Sequence, residues 1–162
     1  MSATDDLLQA NRQYAAGFDK PGLPAAPAKA VAVVACMDAR FHVGRVLGLQ
    51  EGDAHIIRNA GGVVTDDVIR SLAISQRLLG TREVLLIHHT RCGMLGLSDD
   101  EFRRGLAQET GIRPAWAAEG FTDLDEEMRQ NIARVKASPF LPHRDSVRGF
   151  VYDVETGLLR EI

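Results

Sequence analysis

Apolar positions along the chain follow two different periods. Short segments read as strands at Ala30 to Ala35, Ala54 to Arg58 and Arg82 to His88, the last around the apolar run Val84 to Ile87. The first holds small residues and valines without alternation, which fits a strand buried on both faces. Between these runs the period changes to that of a helix. Thr65 to Leu79 sets Val68, Leu72, Ser75 and Leu79 on one face, with Ile69 and Ala73 beside it. Thr65 suits the N-cap, Asp66 and Asp67 fill the first turn, and Gly80 closes the element. A short helix is expected over Phe41 to Leu49. Another begins at Ser98, turns Phe102, Leu106 and Ala107 inward, and ends before Gly111 and Pro114. Leu124 to Ala137 reads as a further helix with Met128, Ile132 and Val135 inward. Val147 to Val154 alternates weakly, as a strand does, and Leu158 to Ile162 returns as an edge strand after the turn at Glu155-Thr156-Gly157.

The N-terminus stands apart. Thr4 to Phe18 has helical spacing through Leu7, Leu8, Asn11, Tyr14, Ala15 and Phe18, with Thr4 as its expected cap. Pro21, Gly22, Pro24 and Pro27 then hold Lys20 to Lys29 extended. This helix is therefore an arm that must pack on its own domain or on a partner. The division is residues 1–29, arm and Pro-rich linker, and residues 30–162, one domain. Strand, helix and strand in succession predict a right-handed parallel crossover. The fold class is α/β: a mainly parallel β-sheet flanked by helices, with an N-terminal helical arm.

Bulk properties narrow the function. The 162 residues are enough for one real core. A net charge of −3 gives no nucleic-acid footprint. No apolar run reaches membrane-spanning length, and the polar, acidic Met1 to Asp6 does not read as a secretory signal. Two cysteines without an export signal point to a reducing, cytoplasmic setting, where thiols more often bind metal or catalyse than form disulfides.

The candidate chemistry gathers at two strand ends. Cys36 follows the first run. His89 and Cys92 follow the third, in His89-Thr90-Arg91-Cys92. Open α/β sheets build their sites at the carboxyl ends of strands. His-x-x-Cys is a metal-ligand spacing, and Cys36 can add a third ligand from the neighbouring strand. Three such ligands leave a tetrahedral zinc one open position, as in a catalytic site. Two buried thiols beside a satisfied histidine is the plainer reading, and a Cys36–Cys92 disulfide is a third. Asp38 and Arg40 could be an ordinary loop ion pair. With a metal present, Asp38 could orient its bound water, and Arg40 would keep Asp38 ionised and turned away. Freed from Arg40, Asp38 could itself take the fourth metal position and close the site. His88 faces the opposite way from His89 on a strand and reads as structural. His42, His55 and His143 read as packing or surface residues, although any of them could carry protons. Met37 and Met94 read as packing. Arg91 is either exposed or turned to the metal, where it would favour an anion.

Cys36-Met37-Asp38-Ala39-Arg40, Ile57-Arg58-Asn59-Ala60-Gly61 and His89-Thr90-Arg91-Cys92-Gly93 resemble the three signature blocks of the β-class carbonic anhydrases. Val147 to Val154 resembles the last core strand of that family, and the compact length resembles its short, mycobacterial-type branch. The resemblance implies a zinc enzyme, with one Zn2+ per subunit, interconverting carbon dioxide and bicarbonate through a zinc-bound hydroxide. It implies Cys36, His89 and Cys92 as zinc ligands and Asp38 and Arg40 as the catalytic dyad; Asp38 stays a further metal-ligand candidate from the residues themselves. It also implies a homodimer, in some members a higher oligomer, with the N-terminal helix reaching over the partner. The chain departs from the pattern at Arg91, where close members of the branch often carry an acidic residue.

Three other functions compete. A carbonyl sulfide or carbon disulfide hydrolase would use the same metal centre with a different pocket. A zinc- or bicarbonate-binding protein would show no turnover. A thiol redox protein would have reactive thiols and no metal.

Overall fold

The structure, a computed structural model, describes residues 2–162. Five strands form one sheet in the order β2-β1-β3-β4-β5. They are β1 (Val31–Cys36), β2 (Ala54–Asn59), β3 (Glu83–His89), β4 (Val147–Tyr152) and β5 (Leu159–Glu161). The first four in that order run parallel, and β5 lies antiparallel on the edge. Each expected strand is present, shifted by a residue or two at its ends. One shift matters: Cys36 and His89 are the last residues of β1 and β3, not the first residues of the following loops.

Side chains of β1 divide by parity, as the pleat requires. Ala32 and Val34 join Val84 and Leu86 under α3 (Asp66–Leu79) and α5 (Leu124–Ala137), meeting Val68, Leu72, Met128 and Val135. Val33 and Ala35 face the other side with Phe41, Ile87 and Phe121, and Cys36, at the strand end, breaks the alternation and joins them. Both faces are covered, so the central strands carry no polar alternation. Gly149 on β4 allows α5 to close in, since a Cβ there would lie 2.5 Å from the Met128 sulfur. Asn131, buried within α5, accepts the Val64 N–H through Oδ1 and donates through Nδ2 to the Glu127 carbonyl at 2.8 Å. It ties α5 to the segment that leads into α3.

Helix ends follow their caps. Thr65 caps α3 and Ser98 caps α4 (Asp99–Thr110), each accepting a backbone N–H three residues on. The first helix, α1, runs from Ala3 to Ala16 and is capped by Ser2 in a reciprocal box with Asp5, two residues before the expected Thr4 cap. The short α2 is Val43–Leu47. The expected inward face of α4 needs correction. Phe102 is exposed and stands near Trp116 at 6.4 Å between ring centroids, while Leu106 and Ala107 are only half-buried. This helix covers a loop rather than the sheet. None of the α1 residues is buried. Among the described residues, the Tyr14 hydroxyl is its one side-chain hydrogen bond to the domain, donated to Glu51.

Candidate metal centre

Parallel pairing of β1 with β3 brings their carboxyl ends side by side, Ala35 opposite Ile87. Cys36 and His89 therefore emerge together, and the turn after β3 returns Cys92 to them. One ligand atom from each lies within 4.8 Å of the others, and all three residues are buried. Both cysteines are free thiols, so the disulfide reading does not hold in this structure. Gly62 makes the approach possible. Its φ of +69° is left-handed, and a Cβ there would stand 2.7 Å from the Cys36 nitrogen.

The donor set fits zinc. The Thr90 carbonyl, 2.9 Å from His89 Nδ1, can only accept, so Nδ1 carries the hydrogen and Nε2 keeps its lone pair. That Nε2 is buried without a hydrogen-bond partner, which a metal would satisfy. The Cys36 thiol is held far below its ordinary range, chiefly by the hydrogen bond from Cys92. Cys92, whose hydrogen is engaged by Cys36, is pushed up. The two sulfurs lie close enough to influence each other's ionisation, and a divalent cation would displace the protons of both thiols.

Asp38 lies beside this cluster but outside it. Arg40 donates through Nε to Oδ1 at 2.9 Å and through Nη2 to Oδ2 at 2.7 Å, and its backbone N–H adds a bond to Oδ1 at 2.8 Å. These bonds keep the carboxyl well below the usual carboxylate range. Asp38 Oδ2 stands 3.7 Å from His89 Nε2. The structure therefore shows Asp38 turned to Arg40, with three side chains left to hold a metal.

The loop that carries Cys36 and Asp38 is pinned from below. Arg58, on β2, donates to the carbonyls of Cys36 at 2.8 Å and Asp38 at 2.7 Å, and stands 5.2 Å over the Phe41 ring. It lies in the second signature block, but sequence reasoning gave it no role. The other candidates divide as follows. His88 is buried and stacked on Phe121 at 5.5 Å, and burial drives its pKa down to about 4. His42 accepts the Arg45 N–H as the cap of α2, and His55 meets Ser75 at 2.7 Å. Met37 is exposed and Met94 is partly buried on the core beside Cys92. The Arg91 guanidinium turns away from the cluster to Glu155 at 2.6 Å.

A cavity of about 170 Å³ opens on the cluster, walled by Met37, Ala60, Gly61, Gly93 and Met94. It adjoins a larger groove of about 690 Å³, which Phe102, Trp116 and Leu97 line on the far side. The smaller cavity is largely apolar apart from Cys36, Asp38 and Cys92, a mix that suits a small-molecule site, and the groove adds Arg58, Asn59, Asp67 and Glu119 to its apolar lining.

Residues 31–159 match the family model described as carbonic anhydrase. Beta-carbonic anhydrase 1 of Mycobacterium tuberculosis is 59% identical over 162 residues, covering 100% of this chain and 99% of that protein. A crystal structure of carbonic anhydrase from Streptococcus mutans superposes with a TM-score of 0.93 at 45% identity, covering 100% of this chain and 98% of that one. A carbon disulfide hydrolase of Saccharolobus solfataricus is more distant, 36% identical over 153 residues, covering 80% of this chain and 75% of its own. With its signature residues gathered at adjoining strand ends and this kinship along its whole length, the chain belongs to the carbonic anhydrases, in the β class of mycobacterial type.

Proposed function

We propose that the protein is a zinc-dependent enzyme that hydrates carbon dioxide reversibly to bicarbonate and a proton. One observation carries this: two thiols and the free Nε2 of His89 converge beside an apolar-walled cavity, with an ionised Asp38 held at its edge by Arg40. Cys36, His89 and Cys92 would hold the metal. Zinc there would supply Lewis acidity and a nucleophile near neutral pH. Asp38, ionised and lining the cavity, would serve as the hydrogen-bond acceptor that orients a reacting water. Arg40 keeps that carboxylate ionised and away from the metal position. Released from Arg40, the Asp38 carboxylate would be a fourth candidate ligand, its Oδ2 standing 3.7 Å from His89 Nε2. The walls of Met37, Ala60 and Met94 suit a small uncharged substrate and offer little to retain a charged product.

The working form is a homodimer. The exposures of Leu7, Leu8, Tyr14 and Phe18 on α1, 70%, 53%, 53% and 46%, are too large for a helix that serves only its own chain. The open apolar groove beside the site suits the same helix from a second copy. Two free thiols at the centre fit a reducing compartment, the cytoplasm. Among the described residues no helix is long and apolar enough to cross a membrane.

Carbon disulfide hydrolysis is the competing activity, supported by the more distant kinship. Assaying both substrates on one zinc-verified preparation tests the choice. Carbon dioxide turnover should dominate; rapid carbon disulfide hydrolysis with negligible carbon dioxide hydration would reverse the assignment.

A further inference from the structure

Arg91 has a left-handed backbone, φ +55°, which is unfavourable for any residue with a side chain. Such a conformation persists where surrounding contacts over-determine it, and often serves a site. Here it turns the Arg91 carbonyl toward Arg40, whose Nη2 donates to it at 2.9 Å. The same Nη2 donates to Asp38. The Arg91 carbonyl is thus a second anchor of the Arg40 guanidinium, and it sets the plane in which Arg40 holds Asp38. On its other side Arg91 is anchored by the Glu155 carboxylate.

Glu155 does not sit on a loose loop. Asp153 Oδ1 accepts the N–H groups of Glu155 at 2.7 Å and Thr156 at 3.2 Å. The turn joins the ligand segment at two further points: Thr90 donates its N–H to the Tyr152 carbonyl at 2.9 Å, and the Thr90 hydroxyl accepts the Val154 N–H at 3.1 Å. Residues 90 and 91 therefore hold His89 and Arg40 through their carbonyls while docked on this one turn.

We infer that Glu155 is a positioning residue for the Asp38–Arg40 pair, acting by holding Arg91 in the left-handed conformation that presents its carbonyl to Arg40. The functional consequence rests on the proposed zinc mechanism; the structural linkage does not. Both partners are well exposed, 65% and 61%, so the effect is graded rather than absolute.

The test uses full-length, zinc-loaded protein labelled with 15N, with the Arg40 Nε–Hε resonance as a direct readout and carbon dioxide hydration as a second. Glu155→Gln should shift the Arg40 resonance, speed its hydrogen exchange with water, and lower kcat about threefold, the size of one exposed ion pair. The charge swap Arg91→Glu with Glu155→Arg should restore all three. A merely structural role would leave the Arg40 resonance in place. An unchanged Arg40 resonance in Glu155→Gln overturns the inference, as does a swap that restores nothing. If the parent shows no turnover while its Arg40 resonance still responds to Glu155→Gln, the enzymatic reading falls and the linkage stands. If turnover is normal and the resonance ignores Glu155→Gln, the linkage alone falls.

Discussion

Arg40 grips Asp38 in a two-pronged contact, Nε to Oδ1 at 2.9 Å and Nη2 to Oδ2 at 2.7 Å. Planar charge-assisted pairs of this kind are stronger and more directional than a single bond. This pair keeps an ionised acceptor next to the metal cluster without letting it become a ligand.

Asp38→Ala should leave the three metal-binding side chains in place and remove the acceptor. Zinc content should match the parent, while kcat for carbon dioxide hydration should fall by at least about 100-fold, the lower range for a positioned acid–base group. Parallel metal analysis and stopped-flow assay check this. Full activity in the variant would remove Asp38 from the mechanism.

The same pair sets a pH dependence of stability. Arg40 lowers the folded pKa of Asp38 below its ordinary 3.8, so its contribution is fully present above that pH and is lost as acid protonates the folded carboxyl. Arg40→Met, studied without metal, should therefore be destabilised relative to the parent at pH 6, with the difference shrinking below about pH 4. Denaturant melts at several pH values measure it. A constant difference across that range would show that the pair does not govern it.

Removing the metal should have two effects. Chelation should abolish turnover, and added zinc should restore it. The thermal midpoint should also fall, because a ligand that binds only the folded state stabilises it. Zinc release by a chelator should become easier as pH falls, since protons compete for both thiolates and for His89. Differential scanning fluorimetry with and without chelator reads the shift, and its absence would argue against a metal at this cluster.

The Gly62 site gives a sharper structural test. A methyl group there would meet the Cys36 nitrogen at 2.7 Å and the Ala35 carbonyl carbon at 2.9 Å, on a left-handed backbone. Gly62→Ala should cost about 1–3 kcal/mol from overpacking and strain, and should weaken zinc retention because the displaced backbone carries Cys36. Urea unfolding and metal content measure the two. A stable variant with full zinc would show that the ligand strand tolerates movement.

Deleting residues 2–18 tests the arm. No residue of α1 is buried in its own chain, so zinc binding should survive. The solution mass should fall from two chains toward one by analytical ultracentrifugation. A deletion that leaves the mass unchanged would place the subunit contact elsewhere.

How much of this was legible in the sequence depended on how far each signal reached. Cys36, His89 and Cys92 could be read because each follows a buried strand run, and parallel strands bring such ends together. Met128 and Val135 were legible from helical period, because α5 presses a continuous face on the sheet. Phe102 was misjudged, since α4 has a helical period but covers a loop and groove rather than the core. Asn131 and Arg58 carried no pattern: the contacts that matter are to backbone groups 67 positions away for Asn131 and 17 to 22 away for Arg58. Arg91 could be singled out, but its direction depended on Glu155, which only the pairing of β3 with β4 brings near. Local periods reveal elements and strand-end chemistry; contacts made across the sheet to main-chain atoms leave no periodic trace.

The most direct measurement is stopped-flow hydration of carbon dioxide by protein verified to hold one zinc per chain, at an alkaline and a mildly acidic pH. The expected result is fast turnover at alkaline pH and a reversible loss on acidification with zinc retained. Zinc-loaded protein that fails to exceed the buffer rate at either pH would contradict the assignment of this centre as a carbonic anhydrase site.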